Sequence, residues 1–259
     1  MSRMPVPMTR FPFDILAFDL DGTLADTSLD IALSLNEALA AIGRPAIDPA
    51  AVRGMIGDGA RNLIRRALAH GGGADERLID TVYPRYVAIY ADHPCRGTSP
   101  YPGVEDAMTA LAHAGVRLAI CTNKPERVSL AVLDALGWRH RFASIVCGDT
   151  LPVRKPDPAP LREAIARAGG GRTMFVGDSI IDAETARAAD LPFVAVSFGF
   201  RDRPVDALGA DATIDSFDEL MPALLDLSGP AGAPWSTGAV PASAAACAAS
   251  ASERRSQGG

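Results

Sequence analysis

Ile15-Leu16-Ala17-Phe18-Asp19-Leu20-Asp21-Gly22-Thr23-Leu24-Ala25-Asp26-Thr27 joins an apolar run to a run of turn formers. The first four residues read as a short buried strand; the aspartates, glycine and threonine that follow are turn chemistry. Side chains alternate along an extended segment, so Asp19 and Asp21 project to the same side. The carboxyl end of a buried strand is where open α/β sheets place their ligands. Two carboxylates this close repel each other, unless a cation binds or one of them keeps a proton. The pair therefore asks for both a cation and a transferable proton.

Beyond Asp26 the pattern becomes helical. Ile31, Leu35, Leu39 and Ile42 recur at spacings of three and four, and Gly43 and Pro45 end the helix. Further helices are predicted over 52–68, with an interruption at Gly57-Asp58-Gly59, and over 78–90. Residues 27–96 thus hold helices and no convincing strand, which predicts an inserted helical cap over the site, hinged near 25–28 and 96–101. Alternation then resumes. Tyr101-Pro102-Gly103-Val104 opens a helix to 114, and a strand over 117–121 ends in Thr122-Asn123-Lys124-Pro125. A helix (128–136) and a strand (144–147) lead to Lys155-Pro156-Asp157-Pro158. After a helix over 160–168, a strand (173–176) ends in Gly177-Asp178-Ser179-Ile180-Ile181-Asp182, which opens a helix to 189. Strands at 193–196 and 212–214 follow. Strands alternating with helices predict an α/β fold, a doubly wound Rossmann-like parallel sheet built from 11–26 and 97–227. Residues 228–259 are mostly Ala, Ser, Gly and Pro; they cannot bury enough surface to order themselves and read as a tail.

Composition narrows the function. The 259 residues are 48% hydrophobic and 22% charged, an ordinary globular balance, and the net charge of −6 opposes nucleic-acid binding. No apolar run reaches the ~20 residues that span a bilayer, and residues 1–10 lack the core of a secretory signal. Cys95, Cys121, Cys147 and Cys247 form no Cys-x-x-Cys pair, and Cys121 and Cys147 end apolar runs as small core residues would. A reduced, cytoplasmic protein is expected. Of 25 basic residues only Lys124 and Lys155 are lysines. Both stand in loops that follow strands, where a compact ammonium does what the planar Arg fork cannot.

Four strand ends now carry polar groups: Asp19 and Asp21, Thr122 and Asn123, Lys155, and Asp178 and Asp182. Parallel strands share one carboxyl edge, so the four can converge. Together they resemble all four motifs of the haloacid-dehalogenase-like phosphohydrolases over about residues 13–227, cap position included. The Asp-Gly-Thr-Leu-Ala-Asp-Thr opening, Tyr101-Pro102-Gly103-Val104, Thr122-Asn123-Lys124, Lys155-Pro156 and Gly199-Phe200-Arg201 are most similar to the bacterial phosphoglycolate phosphatases. The resemblance implies Asp19 as the nucleophile that forms an aspartyl-phosphate, and Asp21 as the acid and then the base. It implies Thr122 and Lys155 as stabilisers of the transferring phosphoryl group, and Mg²⁺ held by Asp19, Asp178 and the Asp21 carbonyl. Asp182 is expected to orient the metal's surroundings or Lys155. The substrate implied is a small phosphorylated metabolite, 2-phosphoglycolate first, handled by a monomer or homodimer.

Some readings stay open from the residues. Asp178 after a glycine could be a helix cap, and Asn123 and Ser179 either touch phosphate or cap. Arg61, beyond Gly57-Asp58-Gly59, is a candidate to pair a substrate carboxylate, with an exposed arginine at an ordinary helix start as the alternative. Pyrophosphate, sugar or amino-sugar phosphates are rival substrates, and a phosphosugar mutase shares the core residues. A dehalogenase has no use for Asp21 or the Asp178/Asp182 pair. An inactive scaffold would not need so complete an acid, base and metal set.

Overall fold

The computed structural model describes residues 11–200 and 203–228. The expectations for residues 1–10, Arg201, Cys247 and the tail beyond 228 lie outside these. In chain order the elements are β1 (Ile15–Phe18), β2 (Ala25–Asp26), α1 (Ser28–Ala40), α2 (Pro49–Arg53), α3 (Ala60–His70) and α4 (Glu76–Asp92). Then come β3 (Ser99–Pro100), α5 (Val104–His113), β4 (Arg117–Cys121), α6 (Glu126–Ala135), β5 (Phe142–Val146) and α7 (Ala159–Arg167). β6 (Thr173–Gly177), α8 (Ile180–Ala188), β7 (Phe193–Val196), β8 (Ala212–Ile214) and α9 (Leu220–Leu227) complete the chain.

Six strands form one parallel sheet in the order β5-β4-β1-β6-β7-β8. β1 lies at its centre, and all four of its residues are buried, as a strand covered on both faces requires. Alternation sends Leu16 and Phe18 to one face, against α5, α6 and α9. Ile15 and Ala17 go to the other, against α7 and α8. Each large side chain buried there contributes about 1.5–3 kcal/mol. Phe18 is level with Ile120 of β4 and Val176 of β6. Asp19, Thr122 and Asp178 follow these residues by one or two positions, so register alone brings them to one edge. The chain runs outward from β1 through β4 to β5, then crosses back to β6, which makes the edge beside β1 the switch point of the topology.

Helices α1 to α4 stand between β2 and β3, two-residue strands that pair antiparallel and hold the two crossings side by side. This pair was not legible as strand, being too short to show a period. Asp30 of α1 ties the return crossing down, accepting from the N–H groups of Arg96, Gly97 and Thr98. The expected helix over 52–68 is two helices, α2 and α3, separated by Gly57-Asp58-Gly59. Gly57 and Gly59 take positive φ, which favours glycine and stops the helix.

Candidate active site

The edge beside β1 gathers the polar strand ends. Lys155, almost wholly buried, places Nζ 2.6 Å from Asp182 Oδ1 and 3.0 Å from Asp19 Oδ1. The contact with Asp19 is Coulombic, because Asp19 Oδ1 is buried with no hydrogen-bond donor aligned on it. The Thr122 hydroxyl favours the charged form of Asp19. Burial, countered by Lys155 and reinforced by Asp182 and Asp21, pushes the Asp19 carboxyl from its ordinary 3.8 up to about 6. Burial would lower the Lys155 ammonium, yet Asp182 and Asp19 outweigh it and hold the proton more firmly than usual.

Asp178 is not a helix cap. Ser179 takes that position on α8 and forms a capping box with Asp182. Asp178 instead accepts from Thr23 Oγ1 (2.9 Å) and from the Phe200 N–H (2.6 Å). Burial, then Asp182 and Asp19, raises its carboxyl well above the usual range. Both Asp182 oxygens are taken by donors: Oδ1 by Lys155, and Oδ2 by Ser179 Oγ (2.6 Å), Ser179 N–H (3.1 Å) and Asp178 N–H (3.3 Å). That leaves Asp19 and Asp178 the freer carboxylates. Oxygens of Asp19, Asp178 and Asp182 all lie within 4.8 Å of one another, with Lys155 the ammonium between Asp19 and Asp182. Two buried carboxylates and the half-buried Asp19 against one ammonium, with an orphaned Asp19 oxygen among them, fit a hard divalent cation that takes oxygen ligands. Close packing seals the arrangement. Gly22 has φ +81°, and a Cβ there would stand 2.5 Å from Asp178 Oδ2.

Asp21 faces the helical insertion. Thr27 Oγ1 donates to its Oδ1 (2.6 Å), and Lys124 Nζ donates to Oδ1 (2.8 Å) and Oδ2 (3.1 Å). Lys124 also meets the hydroxyl of Tyr90 on α4 at 3.0 Å. Asn123 donates to the carbonyls of Lys155 (3.0 Å) and Gly57 (3.3 Å), fastening the Lys155 loop and touching the insertion. A cavity of about 40 Å³ opens between Asp19, Asp21, Thr122 and Asn123 on one side and Gly57, Gly59, Leu63 and Tyr86 on the other.

Arg61 is not brought to this cavity, a correction to the sequence reading. Ala60, Leu63, Ile64, Ala67 and Leu68 form the buried stripe of α3, which turns Arg61 and Arg65 to another face. There Arg61 pairs with Asp80 (2.6 Å) and Glu76 (3.4 Å) of α4, and Arg65 pairs with Glu76 (2.7 Å). The helical period of the apolar residues carried that information. The roles of Thr23, Thr27, Tyr90 and the Phe200 N–H were missed. Thr23 and Thr27 lay inside the quoted motif, whereas a backbone donor leaves no trace in sequence.

A profile of the family described as haloacid dehalogenase-like hydrolase matches residues 16–196. A phosphoglycolate phosphatase of Agrobacterium fabrum is 42% identical over 223 residues, 85% of this chain and 96% of that protein. One from Mesorhizobium japonicum is 45% identical over 213 residues, covering 80% and 92%. The crystal structure of a predicted phosphoglycolate phosphatase from Haemophilus somnus superposes with a TM-score of 0.76 at 30% identity, covering 82% of this chain and 97% of that one. The chain belongs to the haloacid dehalogenase-like hydrolases, as a phosphatase member of that family.

Proposed function

We propose that the protein is a Mg²⁺-dependent phosphatase that hydrolyses 2-phosphoglycolate through an aspartyl-phosphate, with α1 to α4 as a cap over the site. The observation that carries the reading is the buried Lys155 ammonium between Asp19 and Asp182, with Asp178 beside them. Asp19 attacks phosphorus; its place at the sheet edge, in the wall of the cavity, suits a nucleophile. Asp21, two residues on, protonates the leaving alkoxide and later takes a proton from water. Thr122 and Lys155 stabilise the charge that builds on the phosphoryl oxygens. Mg²⁺, held by Asp19, Asp178 and the Asp21 carbonyl, would neutralise phosphoryl charge when bound. Asp182 positions Lys155. The free thiols of Cys95, Cys121 and Cys147 suit a reducing compartment such as the cytoplasm. Among the described residues no helix is long and apolar enough to cross a membrane.

Relatives named phosphoglycolate phosphatase support glycolate as the leaving group. The test is kcat/KM with Mg²⁺ over 2-phosphoglycolate, pyrophosphate, sugar and amino-sugar phosphates and nucleotides. A preference for 2-phosphoglycolate of about a hundredfold, roughly 2.7 kcal/mol of differential transition-state binding, is expected. A flat profile would overturn the substrate assignment.

A further inference from the structure

Lys124 is only 5% exposed and has no part in the chemistry derived above. An ammonium so deeply buried has to be paired. Its partners are the two oxygens of Asp21 and the hydroxyl of Tyr90, whose ring centroid also lies 4.3 Å from Nζ. Lys124 lines the cavity, and among the described residues no other basic side chain does. Arg61 is engaged by Asp80 and Glu76, and Lys155 by Asp19 and Asp182. Arg154, whose Nη1 lies near Gly59, is exposed and outside the cavity wall.

We propose that Lys124 is the specificity-determining residue that binds the carboxylate of the substrate, so that the site takes a phosphate ester of a short hydroxy acid. The inference rests on the assignment of Asp21 as the acid. In 2-phosphoglycolate the carboxylate carbon is separated from the ester oxygen by a single CH₂. The group that protonates the ester oxygen must touch it, so the carboxylate falls beside Asp21. Lys124 Nζ stands there, 2.8 Å from Asp21 Oδ1. Its two bonds to Asp21 contract to one, and the freed N–H turns to the ligand. Tyr90 holds the ammonium from the α4 side, so the same contact ties carboxylate recognition to the seating of the helical insertion. Charge points the same way. Asp19, Asp21, Asp178 and Asp182 face two lysines, and Lys155 is committed to the phosphoryl end. A third negative charge on the substrate needs a cation of its own.

The test compares 2-phosphoglycolate with 2-hydroxyethyl phosphate, which keeps the ester and the chain length and lacks the carboxylate. In Lys124→Gln, which can still hydrogen-bond Asp21 and Tyr90, the kcat/KM ratio of the two substrates should fall about a hundredfold, chiefly through KM for 2-phosphoglycolate. Lys124→Met should do the same, and turnover of 2-hydroxyethyl phosphate reports that each variant is folded. An unchanged ratio, with both substrates losing equally, would overturn the assignment and leave Lys124 as a support for Asp21. A wild-type enzyme with no preference for 2-phosphoglycolate over 2-hydroxyethyl phosphate would overturn both this inference and the phosphoglycolate reading. A preference lost only in the variants supports both.

Discussion

Asp182→Asn tests whether the second carboxylate on Lys155 positions the ammonium or merely caps a helix. The substitution keeps the shape and removes one charge. Asp182 Oδ2 now accepts three hydrogen bonds, and Oδ1 accepts Lys155 Nζ at 2.6 Å. A side-chain amide offers one oxygen and one NH₂. Pointing the oxygen at Ser179 and Asp178 saves the cap and turns the NH₂ against the ammonium, donor against donor. Removing one partner of a buried ion pair costs about 3–5 kcal/mol. Two effects reduce that here. Lys155 keeps Asp19 at 3.0 Å, and the repulsion that Asp182 exerts on Asp19 and Asp178 disappears. A net loss of about 2 kcal/mol is expected. For a protein of this size each kcal/mol moves the melting temperature by about 2–4 °C, so Tm should fall by about 4–8 °C. If the ammonium loses its position by a similar energy in the transition state, kcat falls about thirtyfold.

The assay is thermal unfolding followed by circular dichroism, without metal and at neutral pH, paired with steady-state kinetics in Mg²⁺. Ser179→Ala is the control. It removes the hydroxyl that caps α8, costs about 1 kcal/mol, and leaves the Lys155 pair intact, so kcat should stay within about twofold of wild type. If Asp182→Asn melts within about 1 °C of wild type and turns over within about twofold, the ion pair does not position Lys155 and the reasoning fails.

Two further predictions concern the metal. Arg53 of α2 lies 4.4 Å from the Phe200 ring centroid and 2.9 Å from Asp26, while the Phe200 N–H holds Asp178. Arg53→Met should therefore loosen Asp178 and raise the Kd for Mn²⁺, read by electron paramagnetic resonance, by about fivefold, a loss of roughly one cation–π contact; an unchanged Kd would show that Phe200 needs no such support. The metal-free protein should also lose stability as pH rises. Asp19 is raised to about 6 by burial, against Lys155, so the folded state binds its proton more tightly than the unfolded chain does. That stabilisation is complete below about pH 4 and is lost as pH climbs through 6, and the rise of about two units corresponds to about 3 kcal/mol. The increase in Tm on adding Mg²⁺ should accordingly grow between pH 5 and 7.5, and a pH-independent increase in calorimetry would contradict it.

What could be read from the sequence was whatever covalent order and side-chain period dictate. Apolar runs that stop at Asp19, Thr122 and Asp178 announced strand ends, and a parallel sheet has only one carboxyl edge on which to place them. Helical period likewise announced α1 and α4, although α4 runs from its Asp75 cap through to Asp92, past both expected ends. Arg61 misled because its near neighbours in sequence, Gly57 and Gly59, do line the cavity, while its own direction depends on where Glu76 and Asp80 fall on a separate helix. Lys124 shows the opposite case. Its scarcity in an arginine-rich chain marked it as a residue that Arg could not replace, but gave it no partner. The partners, Asp21 and Tyr90, lie 103 and 34 residues away. Only the folded chain brings a strand end, a loop lysine and an insertion helix into one contact, and that contact gives the ammonium something to do. Position along the edge thus follows from local sequence, whereas the pairing of charges across the cavity follows from tertiary packing. The residues proposed to perform chemistry at the edge were for that reason easier to name than the residue proposed to choose the substrate.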